Sequence, residues 1–464
     1  MTAKRSCHYF TRSFCLVLTL ISLATQVRAQ SVVDRLSGFD LARIESVAQW
    51  IDRPNEEALG SEAAKLIYQV NRLMRAGGVT GEVDNSDEMG ALYRLNGQAK
   101  KIETWSLPES LAEVLEFEVV YRVEVIEEDT QKTWVVLTSV VPNAWLSSEP
   151  DAGGRSTSTV GVVVRPMLDG APAVLAASSL SWLADSQSGV SNDWALLGEK
   201  GFDVSLLEGV RSRDRQALQP EDATAFYSLL NIAASLGESG TPGDLRLKDG
   251  NAVVPEATPA ADLLKESKNL VSRFLRLDLQ TVRVTRIAVT EEITKQLLGS
   301  DHYWQLDAIG DLGNVVIRIE SEGNEPAVFE NRYPISVAIR ELPDFLRKAM
   351  AESTGGGSEM IDVAMVSTKV AIDGFYYRMW SYESDFMDQR GGGNQFGPLV
   401  IGSRIFDTEP PRGDVVGVSR IGWYVAAMVI LGIIAAIIGG IFTGRSDARA
   451  KRQLREKLPS NLGE

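Results

Sequence analysis

Cysteine and histidine are almost missing from this chain, and all but one of the few present sit at one end. Cys7, Cys15 and His8 all fall within the first 29 residues, which leaves His302 as the only imidazole beyond them. Once that leader is removed, no thiol remains. A disulfide framework, a Cys/His zinc site and a Cys–His dyad are therefore excluded within one chain. Basic charge is also scarce: 47 Lys and Arg stand against 62 Asp and Glu, for a net charge of −15. Such a field repels phosphate backbones, because nucleic-acid affinity comes largely from Lys and Arg displacing counterions. Nucleic acid is not an expected partner. No G-x-S-x-G elbow, phosphate-binding loop, dinucleotide fingerprint or EF-hand is present, and Gly391-Gly392-Gly393 lacks the Lys-Ser/Thr that a phosphate loop needs.

Long apolar runs are few as well, and only two matter. The first follows Lys4, Arg5 and Arg12 and extends over residues 14–24, too short to span a bilayer comfortably. Val27-Arg28-Ala29 then places small residues where a signal peptidase reads. Residues 1–29 are thus expected to be a secretory signal, cleaved before Gln30. The second run, residues 421–442, contains no charge, and its 22 residues reach roughly 33 Å as a helix. Trp423 and Tyr424 suit an interfacial belt, and the tail carries Arg445, Arg449, Lys451, Arg452, Arg455 and Lys457 against three acids. The expected topology is single-pass in the cytoplasmic membrane, N-terminus outside, basic tail (443–464) inside. Gly432, Ala436 and Gly440 form a small-residue face in the span that permits a homodimer.

Between these ends, residues 30–80 read as a helical hairpin. Apolar residues recur at helical spacing through Ile44, Val47 and Ile51, then through Ala63, Leu66, Ile67, Val70 and Leu73. From residue 90 the period changes to that of strands, with FEVVYRVEVI and TWVVLTSVV flanking a polar turn. Short Val-rich strands of this kind suggest a small barrel over 90–182. A helical segment (183–237), a linker rich in proline and glycine (238–260), a second barrel (261–407) and a juxtamembrane stretch (408–420) complete the expected order. The second barrel is read as a repeat of the first. Shifting by 182 places sets YRLNGQAKKI against LRLDLQTVRV, and WVVL against VIRI. VVVRPMLDG is set against VSTKVAIDG, and Val141-Pro142-Asn143 against Leu342-Pro343-Asp344. Phase is hard to keep near Tyr121 and Tyr303, which implies a bulge or an insertion there.

Each copy resembles an OB-like barrel of about five strands. The expected fold class is therefore α+β, with two tandem OB-like barrels, helical segments and one C-terminal transmembrane helix. The layout, including the VPNAW and LLEGVRSRDRQ segments, is similar to uncharacterised exported, C-terminally anchored proteins of planctomycete-type bacteria. That resemblance implies no activity.

Few residues single themselves out for chemistry. His302 lies beside Asp301 at the start of an expected strand, and an acid–base role would need a partner within hydrogen-bond reach. The run from Asp84 to Glu88 is rich in oxygen ligands but lacks the glycine and terminal Glu of a calcium loop, so no metal and no cofactor are expected. The densest aromatic stretch is Phe375-Tyr376-Tyr377-Arg378-Met379-Trp380. In a strand, Tyr376, Arg378 and Trp380 share one face, and these three are the candidate ligand-binding residues. The expectation is a non-enzymatic binding or scaffold protein of the envelope, working with other envelope proteins. Two alternatives stand beside it: a glycan binder using that aromatic face, and a hydrolase using two carboxylates.

Overall fold

The computed structural model describes residues 32–76, 86–147, 155–167, 171–238, 245–319, 327–353, 362–383 and 394–408. The expected leader (1–29), the expected span (421–442) with Gly432, Ala436 and Gly440, and the basic tail lie outside them. Among the described residues no helix is long and apolar enough to cross a membrane. The chain divides into two compact units. One comprises residues up to Val141 together with Ser158–Leu180; the other comprises Pro142–Thr157 and everything from Ser181 onward.

In the first unit, Asp40 starts helix α1 (Leu41–Asp52) by accepting the Arg43 N–H at 2.9 Å, which satisfies one of the orphan amides of a helix start. A longer helix, α2 (Glu57–Arg75), follows. Their apolar stripes, with Ile44, Val47 and Trp50 on one and Leu66, Ile67 and Val70 on the other, are buried in a single core with Val120, Leu137, Val162 and Val174 of the sheet. Each such side chain contributes about 1.5–3 kcal/mol on burial, so the hairpin is held by packing more than by helix propensity.

That sheet contains β1 (Leu92–Ser106), β2 (Val119–Glu127), β3 (Thr133–Thr138), β4 (Ser156–Arg165) and β5 (Ala173–Ala177). Its order is β1-β2-β3-β5-β4, and β4 pairs back onto β1. The result is a closed five-stranded barrel. Strands β3 and β5 run parallel, from Trp134 opposite Ala173 to Leu137 opposite Ala176. Between β1 and β2 sits helix α3 (Glu109–Leu115), which ends on Glu116 at φ 64°.

The second unit begins with the short helix α4 (Asn143–Leu146), then α5 (Asn192–Glu199), α6 (Leu206–Ser212) and α7 (Ala223–Glu238). Its sheet carries β6 (Phe274–Ala288), β7 (His302–Ile319), β8 (Ala327–Ile339), β9 (Lys369–Glu383) and β10 (Asn394–Asp407). The order is β6-β9-β10-β8-β7, closed by β6 with β7. Strands β8 and β10 are parallel through Ser336–Leu399, Val337–Val400 and Ala338–Ile401. Helix α8 (Glu292–Leu298) lies between β6 and β7 and ends on Gly299 at φ 70°; α9 (Asp344–Ser353) follows β8. Strand for strand, the order is that of the first barrel.

Several expectations change. The segment 238–260, expected as a linker, is packed from Leu245 on. Leu245, Leu247 and Val253 are buried, and Val253 N–H donates to the Leu245 carbonyl at 2.8 Å. The pairing of WVVL with VIRI fails, because WVVL lies in the third strand of its barrel and VIRI in the second of its own. VVVRPMLDG fails to match VSTKVAIDG in register: Arg165 is the last residue of β4, whereas Lys369, set opposite it, is the first of β9. The irregularity expected near Tyr121 and Tyr303 is an insertion in the second copy, where β7 has 18 residues against 9 in β2. Bulges occur between Ala99 and Ile102 in β1, and between Thr281 and Arg283 in β6.

Candidate functional site

Tyr376, Arg378 and Trp380 do lie on one strand, β9, but none of them offers an open face. Tyr376 is fully buried in the barrel core, and its hydroxyl donates to the Leu263 carbonyl at 3.4 Å. Burial raises its pKa well above the usual tyrosine value. Trp380 is packed against Tyr382 with ring centres 4.8 Å apart. Arg378 is 0% exposed. Its guanidinium donates to Asp222 at 2.7 Å, to Gln216 O at 2.8 Å and to Ala217 O at 3.1 Å, and also reaches Arg213 O.

Asp222 is the centre of this cluster. It accepts from Arg378 and, through its other oxygen, from Arg213 at 2.9 Å; it also caps its own turn by accepting the Gln219 N–H at 3.0 Å. Tyr377 donates to the Asp222 carbonyl at 3.4 Å, and burial raises the Tyr377 pKa above its ordinary range. Beside it, Asp214 accepts the Met379 N–H at 3.0 Å and the Ser267 hydroxyl at 2.8 Å. A buried charge survives only when paired and hydrogen-bonded. The cluster therefore ties the segment between α6 and α7 to β9. It is a fastening, not an open site.

An open groove is built elsewhere in the second unit, from the segments VPNAW and LLEGVRSRDRQ. VPNAW supplies α4, and LLEGVRSRDRQ supplies α6. They meet where the Asn143 amide donates to Glu208 at 3.0 Å. Behind α4, Trp145 packs edge-on against Trp182, with ring centres 6.3 Å apart. The Trp182 N–H donates to Asp203 at 2.9 Å, and the same carboxylate oxygen accepts the Ser205 N–H at 3.0 Å and the Ser205 hydroxyl at 2.6 Å. Burial still raises the Asp203 carboxyl above the usual carboxylate range.

Across the groove, α5 starts at Ser191, whose side chain accepts the Trp194 N–H. Trp194 donates its indole N–H to Val271 O at 3.4 Å, and the Arg211 guanidinium lies over its ring at 5.5 Å. Arg211 is fixed in turn by donating to Lys268 O at 3.1 Å. The resulting groove has a volume of about 390 Å³ and is lined by Asn143, Trp182, Trp194, Ser205, Glu208 and Arg211 among others. Aromatic faces beside an amide, a hydroxyl, a carboxylate and a guanidinium can hold a ligand that is apolar on one side and hydroxylated on the other. Glu208 is the one carboxylate among its described lining residues.

Trp182, Trp194, Glu208 and Arg211 were missed as site residues. The segment LLEGVRSRDRQ could have pointed to Glu208 and Arg211, whereas nothing in the local periodicity marks Trp182 and Trp194.

His302 is partly exposed, with Nδ1 2.5 Å from the Asp301 carboxylate and its ring edge-on to Trp304 at 5.8 Å. The hydrogen bond from His302 lowers the Asp301 pKa. No group of His, Cys, Asp and Glu able to hold a metal occurs among the described residues; Asp84 and Asn85 lie outside them.

No known protein family and no curated protein matches the chain. Among solved structures it is similar to asparaginyl-tRNA synthetase from Pyrococcus horikoshii. The match has 10% identity over 49% of this chain and 49% of that one, with a TM-score of 0.14. The chain thus spans about half the length of that enzyme, and a superposition so loose bears on neither fold nor activity.

Proposed function

We propose that this chain is an exported, membrane-anchored binding or scaffold protein of a bacterial envelope, non-enzymatic, in which two OB-like barrels are displayed outside the cytoplasmic membrane by one C-terminal span. The observation that carries the binding half of this reading is the tryptophan-lined groove, assembled from segments more than sixty residues apart in sequence and held by Asn143 on Glu208. Small barrels of this strand order serve as platforms whose loops and faces take ligands, and the acidity of the chain turns that platform away from nucleic acid. The anchoring half rests on the apolar run at 421–442 and the basic tail. Mild crosslinking of cells, followed by affinity purification of the detergent-solubilised full chain, tests it. An envelope protein recovered in stoichiometric amount, and lost on Trp194→Ala, is the expected result. Recovery unchanged by that substitution contradicts the assignment of the groove. Closely packed spans through Gly432, Ala436 and Gly440 would make the anchored form a homodimer, which Gly432→Leu would abolish in the same crosslinking.

A second reading is favoured by the groove's composition. An indole face next to Asn143, Ser205, Glu208 and Arg211 suits a sugar ring, apolar on its C–H face and rich in hydroxyls at its edge. On this reading the chain sediments with insoluble cell-wall polysaccharide and Trp194→Ala releases it. Sedimentation by the variant equal to that of the wild type would dismiss it.

A further inference from the structure

Arg404 on β10 is a buried cation whose hydrogen bonds use only part of its guanidinium. It is 9% exposed, and its Nη2 donates to Leu236 O at 3.0 Å, while its Nε meets no acceptor. Its cross-strand neighbour is Asp373, yet both oxygens of Asp373 are taken by Arg276, at 2.6 and 2.7 Å. Next to it, Ser403 is 6% exposed and its hydroxyl also lacks a partner. Burying a cation without a counter-charge is costly, so the arrangement calls for an explanation.

The backbone supplies part of it. Gly374 pairs with Gly402, but Asp373 pairs with Arg404, so Ser403 is the extra residue of a bulge. Bulges redirect side chains and recur beside binding sites. The end of α7 comes close at this point: a side chain on Gly237 would run into the Ser403 carbonyl. Ser403 and Arg404 thereby line a cavity of about 540 Å³, whose other walls include Ile339, Leu342, Pro343 and Phe406. That volume falls in the range of small-molecule sites. The start of α9, at Asp344, also faces it, and a helix start favours negative charge.

Three carboxylates border the same cavity. Glu238 and Glu341 are held by Arg340 at 2.8 and 3.0 Å, and Asp344 is held by Arg347. Glu238 and Glu341 share the one guanidinium of Arg340, and none of the three acids forms an ion pair with Arg404. They would also repel a dianion such as phosphate. We infer that this cavity is a second binding site, which takes a small monocarboxylate with an apolar body: the carboxylate on the Arg404 guanidinium, the apolar part against Phe406 and Leu342. This inference is independent of the tryptophan groove.

Benzoate is a suitable probe, titrated calorimetrically into the full chain in amphipol, with benzyl alcohol and inorganic phosphate titrated in parallel. Benzoate is expected to bind saturably at one per chain, at least tenfold more tightly than either comparison compound. Arg404→Met is expected to abolish that preference and Arg404→Lys to retain part of it, with thermal denaturation checking that each variant is folded. Benzyl alcohol binding as tightly as benzoate to the wild-type chain would overturn the proposal without recourse to any variant. Phosphate binding as tightly as benzoate would overturn it as well, as would undiminished benzoate binding by folded Arg404→Met.

Discussion

The two barrels share a strand order and differ in what fills them. In the first, the strands after β1 are short: β2 has 9 residues, β3 has 6 and β5 has 5. The apolar core they enclose is completed by the α1–α2 hairpin, and among the described residues no ion pair of this unit has both side chains buried. In the second, β7 has 18 residues and β10 has 14, and buried ion pairs enter the structure. Arg283 meets Asp307 with both side chains buried, and Arg378 meets Asp222. The contrast shows that one topology can be specified by apolar alternation alone, or by a mixture of apolar packing and charged fastenings that tie added segments to the barrel.

The largest expected effect separates the two directly. Arg378→Met leaves Asp222 buried with half of its charge compensation gone, and breaking such a pair costs about 3–5 kcal/mol. Urea denaturation should show the second unit destabilised by that amount, with near-UV signals of Trp50 and Trp134 in the first unit unchanged. Equal loss in both would contradict the separation.

The next effect should be symmetric. Gly161 in β4 and Gly374 in β9 each lie against a carbonyl of the fifth strand of their own barrel, Ala176 O and Ile401 O, where a β-carbon would collide. Gly161→Ala and Gly374→Ala are each expected to cost about 1–3 kcal/mol by overpacking. A large cost at one and none at the other, measured by the same denaturation, would show that the positions are not equivalent. Helix starts provide a milder pair. Asp40→Ala in the first unit and Ser191→Ala in the second should each cost about 1 kcal/mol, read as a shift of the thermal midpoint.

The smallest effect is the pH dependence that Asp203 adds to the second unit. The Asp203 carboxyl is raised above its ordinary 3.8 by burial, so the folded chain holds that proton more tightly than the unfolded chain does. Its contribution to stability is full below pH 3.8 and is lost as the pH rises through the raised value. Asp203→Asn keeps an acceptor for Trp182 and Ser205 and removes the slope. The stability of the wild type relative to this variant should therefore fall as pH rises through the acid range; a constant difference would contradict the assignment.

Local pattern carried the reading of the sequence furthest where both copies are regular. A shift of 182 residues brings Leu92–Ser106 onto Phe274–Ala288, end to end, and even the bulges at Ala99 and Thr281 correspond. The fixed shift then breaks, because β7 is twice as long as β2 and pushes every later strand out of step. Pro142 and Pro343 realign after the third strand, each directly before the helix that follows it.

The site was harder to read for a different reason. Arg378 looks like a surface residue in an aromatic strand until Asp222, 156 residues earlier, is brought to it. Glu127 borders the polar turn between two strands, yet it is buried and accepts the hydroxyls of Tyr93 and Thr130. Trp194 and Arg211 meet across 17 residues without a shared period. Alternation reports which face of an element is apolar. It does not report which distant side chain will neutralise a polar one.

The central claim, that the two barrels stand outside the membrane on a single anchor, is tested most directly by adding protease to intact spheroplasts expressing the full chain with a C-terminal tag. The account predicts that both barrels are digested while a short tagged fragment containing residues 421–464 survives. Barrels that stay whole until the cells are lysed would contradict it.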